Sequence, residues 1–299
     1  MSPTIAAINK FNGVFVPDIN DSYFTTPEID RLFTRINTLA QVEPQRVMLT
    51  GQHGAGKTEM AMQYAARANK PMLIMDCANL KEPRDWFGYK TILNGEIVWH
   101  ESQFDRAVSE GGHVILLDEI NRVHPSVLNT LLPLLDARGF TYLEEKGDCI
   151  RVGNGTVFFA TMNEGAGYTG TTSTDLALSD RFSRRVEVNY LVKAKEVELL
   201  VKRTGITKSD ATKLVDIATQ IRKKSVGVGS AFTMGFSTRQ LIAAAKDFTI
   251  DGVDSLQFTM TNLFSSEGGT NSERAAVLQL IQGKFGSAEE EAKSSMKGA

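Results

Sequence analysis

Residues 51–58 read Gly51-Gln52-His53-Gly54-Ala55-Gly56-Lys57-Thr58, a match to G-x-x-x-x-G-K-[ST], and their flanks restrict the fold more than any other stretch of the chain. Ahead of them, Arg46-Val47-Met48-Leu49-Thr50 has the apolar run of a buried strand. Behind them, Glu59-Met60-Ala61-Met62-Gln63-Tyr64-Ala65-Ala66-Arg67 has the period of an amphipathic helix. A strand, a glycine turn and a helix start aim backbone N–H groups and the positive end of the helix at one anion. Glycine lets such a loop close around phosphate oxygens without a Cβ clash. The expected nucleotide-binding set therefore runs from Gly51 to Glu59. In it Lys57 reaches the β- and γ-phosphates, and the Thr58 hydroxyl takes one position around Mg²⁺.

Splitting a bound phosphate takes a second element. His113-Val114-Ile115-Leu116-Leu117-Asp118-Glu119-Ile120-Asn121 is an apolar run ending in two carboxylates, as expected of a central parallel strand covered on both faces. Ligands of such sheets sit outside the carboxyl ends of the strands, where Asp118 and Glu119 emerge. Asp118 is expected to hold Mg²⁺, directly or through water. Glu119 is expected to polarise the attacking water and accept its proton. A third strand, Thr156-Val157-Phe158-Phe159-Ala160-Thr161-Met162-Asn163, ends on an amide able to donate to the γ-phosphate or to that water.

With these residues in hand the chain resembles a AAA+ ATPase of the MoxR-like branch. The likeness extends through Leu116-Leu117-Asp118-Glu119-Ile120-Asn121-Arg122 into Val127-Leu128-Asn129-Thr130-Leu131-Leu132-Pro133-Leu134-Leu135-Asp136. It includes Ala160-Thr161-Met162-Asn163 as the sensor-1 strand, Leu178-Ser179-Asp180-Arg181-Phe182 as the arginine-finger segment and Ser237-Thr238-Arg239-Gln240-Leu241 as the sensor-2 helix. The resemblance implies a ring, usually of six subunits, with ATP bound between neighbours and an arginine of one subunit reaching the γ-phosphate held by the next. A guanidinium offers several donors to the charge that spreads over the phosphoryl oxygens. Arg181 matches the family's Asp-Arg-Phe, while Arg184 and Arg185 lie close behind and keep the assignment open. Arg239, in the first turn of a helix opened by the S-x-x-Q capping box of Ser237 and Gln240, is the sensor-2 candidate for its own or a neighbour's nucleotide.

Two hairpins are expected as insertions. Asn94-Gly95 between Ile92-Leu93 and Glu96-Ile97-Val98-Trp99 is a hairpin turn signal, in a segment that opens with Trp86-Phe87-Gly88-Tyr89. A second hairpin runs from Gly139-Phe140-Thr141-Tyr142-Leu143 to Cys149-Ile150-Arg151-Val152. In related ATPases such hairpins touch the substrate, so Trp86, Phe87 and Tyr89 read either as an exposed contact surface or as core packing.

The expected fold class is α/β, a P-loop αβα sandwich with a parallel sheet, followed by a small all-α lid. The nucleotide-binding domain spans 1–192, the lid 193–282 and a mobile tail 283–299. Within 1–44, Thr26-Pro27-Glu28 starts a helix with Leu32, Phe33 and Ile36 on one face, and Val14, Phe15 or Tyr23 would lie near the adenine. Ser225 to Ser230 reads as a flexible loop. The net charge of −2 offers no global field for nucleic acid or anionic membrane. Neither the two cysteines nor the four histidines show metal-ligand spacing, and no bilayer-spanning or signal-type stretch occurs, so a reducing, cytoplasmic setting is expected.

These readings converge on an Mg²⁺-dependent ATPase that remodels or activates a protein partner, and the resemblance adds a separate von Willebrand factor A domain protein as an expected partner. The alternatives are a nucleic-acid motor or loader, which would need basic hairpins, and an ATP-gated scaffold with little turnover. Lys90, Lys146 and Arg151 are the basic candidates, set against Glu96, Glu101, Glu144, Glu145 and Asp148.

Overall fold

The structure, a computed structural model, describes residues 13–163, 176–225 and 230–286. The chain divides into two compact units, Met1–Gln52 with Gly56–Asn189, and His53–Ala55 with Tyr190–Ala299. The first unit runs α1 (Pro27–Ala40), β1 (Gln45–Gly51), α2 (Lys57–Arg67), β2 (Met72–Asp76), α3 (Arg84–Phe87), β3 (Gly88–Leu93), β4 (Glu96–Glu101), α4 (Gln103–Glu110) and β5 (Val114–Asp118). It continues through α5 (Pro125–Leu135), β6 (Phe140–Leu143), β7 (Asp148–Arg151), β8 (Val157–Asn163), α6 (Leu176–Arg181) and β9 (Arg184–Glu187).

Five of these strands form a parallel sheet in the order β2-β5-β8-β1-β9. Alternate residues of each strand feed different cores, as a strand's period of two requires. On one face Ile115, Leu117, Phe158 and Ala160 join Trp86, Phe87, Phe104 and Leu131. On the other, Val114, Leu116, Val157 and Phe159 join Phe33, Ile36, Met60 and Tyr64. Helices thus cover both faces, the condition for a parallel sheet to bury its apolar strands. Phe33 and Ile36 are the buried residues expected on α1, which Thr26 caps. In the lead-in, Phe15 bridges to Met72, while Val14 and Tyr23 pack against the two cores. The register Gly51↔Asn163 and Asp76↔Asp118 brings the motif residues to one edge of the sheet.

Both hairpins form. Asn94 and Gly95 have φ of +53° and +87°, the left-handed pair a two-residue hairpin turn needs. Trp86 and Phe87 are core residues, and the Trp86 indole donates to the Val127 carbonyl at 3.2 Å. Tyr89 is 46% exposed and leans on His100, and Ile92, Leu93 and Ile97 are exposed too. The second hairpin pairs β6 with β7, and Arg151 lies over the Phe140 ring at 4.8 Å. Lys146, in its turn, donates to the fully buried Asp105 of α4 at 2.8 Å and to Glu101, the last residue of β4, at 3.4 Å. Burial pushes the Asp105 carboxyl up, against the pull of the ammonium. The Lys146 amine is also desolvated, yet the two carboxylates leave it net raised.

The second unit is helical: α7 (Lys193–Thr204), α8 (Lys208–Lys224), α9 (Thr238–Asp251), α10 (Ser255–Thr259) and α11 (Glu273–Phe285). Its apolar core includes Leu200, Leu214, Ile217, Phe232, Phe236, Leu241 and Val277. Within it lies a polar knot. Glu196, 1% exposed, accepts two 2.8 Å bonds from the Arg222 guanidinium and one of 2.7 Å from Thr238. Arg222 also stands 3.9 Å from the Tyr190 ring centre and donates to the Phe236 carbonyl. Gly283–Phe285, placed with the tail on sequence, complete α11, with Phe285 buried against Phe248. The rest of the expected tail, 287–299, and Val226–Gly229 of the expected loop lie outside the described residues. Among the described residues no helix is long and apolar enough to cross a membrane.

Candidate nucleotide site

β1 ends on Gly51, whose φ of +136° no side chain adopts comfortably, and a Cβ there would stand 2.3 Å from the Val188 carbonyl oxygen. Gly54 and Gly56 are left-handed as well, with Gly56 opening α2 at φ +100°. No side chain caps α2, whereas Thr26, Ser102, Thr207, Ser237 and Ser272 cap α1, α4, α8, α9 and α11. The first-turn N–H groups of α2 thus keep their donors for an outside acceptor, a freedom shared with α7, which also has no side-chain cap. Lys57 is buried at 7% exposure, with its Nζ donating to the Gly51 and Gln52 carbonyls at 2.9 and 2.8 Å. Both carbonyls are neutral acceptors, and an anion is the stronger partner for an ammonium. Glu59 stands in the first turn of α2. Its carboxylate accepts from Asn20 at 2.7 Å and Gln63 at 3.3 Å, so its side chain secures the lead-in to α2. Gln63 continues that lacing to the Asn20 N–H and the Asp18 carbonyl.

The acidic pair stands directly beyond the loop. Thr58 Oγ1 donates to Asp118 at 3.2 Å to Oδ1 and 3.4 Å to Oδ2. A hydroxyl beside a carboxylate is a hard oxygen pair that suits Mg²⁺, which is commonly bound by one or two carboxylates together with substrate phosphates. Among the described residues no cluster of three or more His, Cys, Asp or Glu could hold a metal by itself. Glu119 has φ +56°, a left-handed conformation costing a non-glycine residue on the order of 1 kcal/mol. Its Oε1 accepts from Asn163 Nδ2 at 3.0 Å and its Oε2 from Arg122 Nε at 3.0 Å. Thr161, 1% exposed, donates to Asp118 Oδ1 and accepts the Glu119 N–H at 2.8 Å. The fully buried Cys77 senses the same charge. Burial first, then Asp118, Asp76 and Glu119, raise its thiol well above the usual range.

Lys57, Thr58, Asp118, Glu119 and Asn163 are therefore joined at one sheet edge. Arg181 and Arg184 are held by other partners. Arg181 closes α6 and donates to the Leu132 carbonyl of α5 at 3.1 Å and to Ala177 at 2.6 Å. Arg184 and Arg185 belong to β9, and Arg184 donates to the Gln45 side chain at 2.7 Å. Arg239 is exposed in the first turn of α9 in the second unit, where the capping box of Ser237 and Gln240 is complete. Sequence reasoning missed Thr161, Arg122 and Asn20. Only Thr161 left a usable signal, since it shares a strand face with Asn163 two residues on.

The chain is similar to known proteins in both of its units. Residues 46–182 match the AAA domain (dynein-related subfamily), and residues 196–283 match the CbbQ/NirQ/NorQ C-terminal family. The protein named "Putative chaperone BssE" from Thauera aromatica is 32% identical over 87% of this chain and 94% of its own length. Protein NorQ of Paracoccus denitrificans (strain Pd 1222) is 28% identical over 75% of this chain and 80% of its own length. Among solved structures, the Thermotoga maritima RuvB Holliday junction branch migration motor superposes with a TM-score of 0.53 at 17% identity. It covers 85% of this chain and 74% of that one, a likeness of fold.

Proposed function

Because this chain belongs to the MoxR-like AAA+ ATPases, we propose that it hydrolyses Mg²⁺-ATP and uses the cycle to remodel or activate a protein partner. The observation that carries this reading is the continuous hydrogen-bonded array from Thr58 through Asp118 and Thr161 to Glu119 and Asn163. Phosphate oxygens would take the N–H groups at the start of α2 and draw Lys57 from its two carbonyls. Thr58 and Asp118 would hold magnesium, which would supply charge neutralisation for the bound phosphates. Glu119 then accepts the proton of the attacking water, with Asn163 fixing one of its oxygens.

In a ring, six subunits being the family's usual number, Arg181 of a neighbour is our choice for the γ-phosphate. Its Nε and Nη1 are anchored on carbonyls, which presets the plane of the guanidinium. Arg239 is the second candidate for the nucleotide. A protein target, or a separate von Willebrand factor A domain protein, suits the chain better than nucleic acid. Of the basic hairpin residues, Lys146 is committed to Asp105 and Glu101, and Arg151 rests on Phe140. The chaperone designation of BssE points the same way.

The test compares wild type with Lys57→Ala and Glu119→Gln. We expect nucleotide retention to fail in the first, and the second to bind ATP while turning over at least about 100-fold more slowly. Mass spectrometry of what stays on ATP-loaded Glu119→Gln would identify the partner. Wild-type protein that retains no Mg²⁺-nucleotide, or that Lys57→Ala leaves unchanged, would end this reading.

A further inference from the structure

We propose that Thr161 is a positioning residue of the hydrolytic step, holding Glu119 in the one backbone conformation that presents its carboxylate to Asn163. This rests on Glu119 acting as the general base. Glu119 has only a short reach from the end of β5, and a left-handed φ at that position turns the chain back toward β8. An L-residue does not stay there unaided, so something must repay the strain. Arg122 and Asn163 hold the carboxylate, and the Arg122 N–H donates to the Glu119 carbonyl at 2.9 Å, which leaves the Glu119 N–H still to be fixed. Thr161 Oγ1 fixes that side of the backbone, because it accepts the Glu119 N–H at 2.8 Å.

The same hydroxyl has one proton, and it goes to Asp118 Oδ1. A single Oγ therefore binds neighbouring residues of the acidic pair by opposite roles, as acceptor for one and donor for the other. That directionality is enforced: with its proton on a carboxylate, the oxygen has only lone pairs to offer the Glu119 N–H. Thr161 is 1% exposed, so water does not replace it readily once the hydroxyl is lost. Register supplies the rest. Thr161 and Asn163 point to the same side of β8, so the strand that orients the Glu119 carboxylate also orients its backbone.

The experiment replaces Thr161 with Val, Ala and Ser in the full chain, beside Glu119→Gln. It measures kcat and KM for ATP, fluorescent ADP affinity with and without Mg²⁺, and thermal unfolding. Thr161→Val keeps the shape without the hydroxyl, Thr161→Ala is a second hydroxyl-free variant if Val disturbs folding, and Thr161→Ser keeps the hydroxyl. We expect kcat to fall by about 10- to 100-fold in Val and Ala, the rate equivalent of losing one such bond. KM and ADP affinity should stay within about threefold of wild type, and Ser should keep at least about half of the wild-type kcat. Val or Ala within twofold of wild type would overturn the proposal, and so would Ser impaired as badly as Val. A loss confined to KM or ADP affinity would overturn it too. If Glu119→Gln is inactive while Thr161→Val is fast, this inference fails alone. If Glu119→Gln turns over like wild type, the reading of Glu119 fails first.

Discussion

Removing Arg222 is the sharpest test of what holds the helical unit together. Glu196 is 1% exposed, and three of its contacts come from just two residues, Arg222 by two bonds and Thr238 by one. Arg222→Ala would leave a buried carboxylate with the Thr238 hydroxyl alone, open a space beside Tyr190 and strand the Phe236 carbonyl. Breaking a buried pair from one side costs roughly 3–5 kcal/mol. In a unit of this size that is a fall of roughly 10–20 °C in its melting temperature. Glu196→Met with Arg222→Met should recover most of the loss, because an apolar pair of similar volume removes the stranded charge along with the bridge. Scanning calorimetry is the right assay, since a chain of two units need not unfold in one step. A cost below about 1 kcal/mol for Arg222→Ala, or a double variant no better than the single, would refute the account of the knot as a desolvated pair.

Two further outcomes follow from local geometry. Gly51→Ala should abolish nucleotide retention and lower stability by about 2–4 kcal/mol, because the new Cβ would meet the Val188 carbonyl oxygen at 2.3 Å in an unfavourable φ. Fluorescent nucleotide binding and thermal melts would check it, and a variant that binds normally would contradict it. Asp216 accepts from Lys193 at 2.5 Å and Lys284 at 3.1 Å. Burial opposes its charge, but the two ammonium groups win and hold its carboxyl below the usual aspartate range. A lowered folded value gives stability that is full above the unfolded value and lost as pH falls through the folded one. Asp216→Asn should therefore cost about 1 kcal/mol at neutral pH, and its deficit should shrink below about pH 4. A deficit that does not change with pH in melts recorded from neutral to acid would count against the pairing.

Local chemistry made much of this molecule readable, and side-chain pairing across distance did not. The phosphate loop, the Asn94-Gly95 turn and the Ser237–Gln240 cap each depend on residues within one or two turns of chain. A short motif therefore implies the conformation that was found. The Met72-Leu73-Ile74-Met75 run was opaque because a short apolar stretch suits either kind of element, and its place beside β5 is a matter of sheet order. In sequence Lys146 reads as a basic residue of a hairpin and Arg184 as an alternative arginine finger. One turns out to reach a buried carboxylate on α4, and the other a buried glutamine on β1. Glu196 and Arg222 stand on different helices, so no periodicity links them. The acidic pair was legible as a pair, but its fixing by Thr161 emerges only from the neighbouring strand's register.

Lys146 ties the turn of the second hairpin to the base of the first through Glu101 and to α4 through Asp105. To tilt either one independently, an ammonium must be pulled off Asp105, leaving a carboxylate in the interior with no counter-charge. Stiffness is thereby concentrated at the base while the apolar tip of Ile92, Leu93 and Ile97 stays in solvent. A load applied to that tip would therefore bear on α4 and on the turn of the neighbouring hairpin.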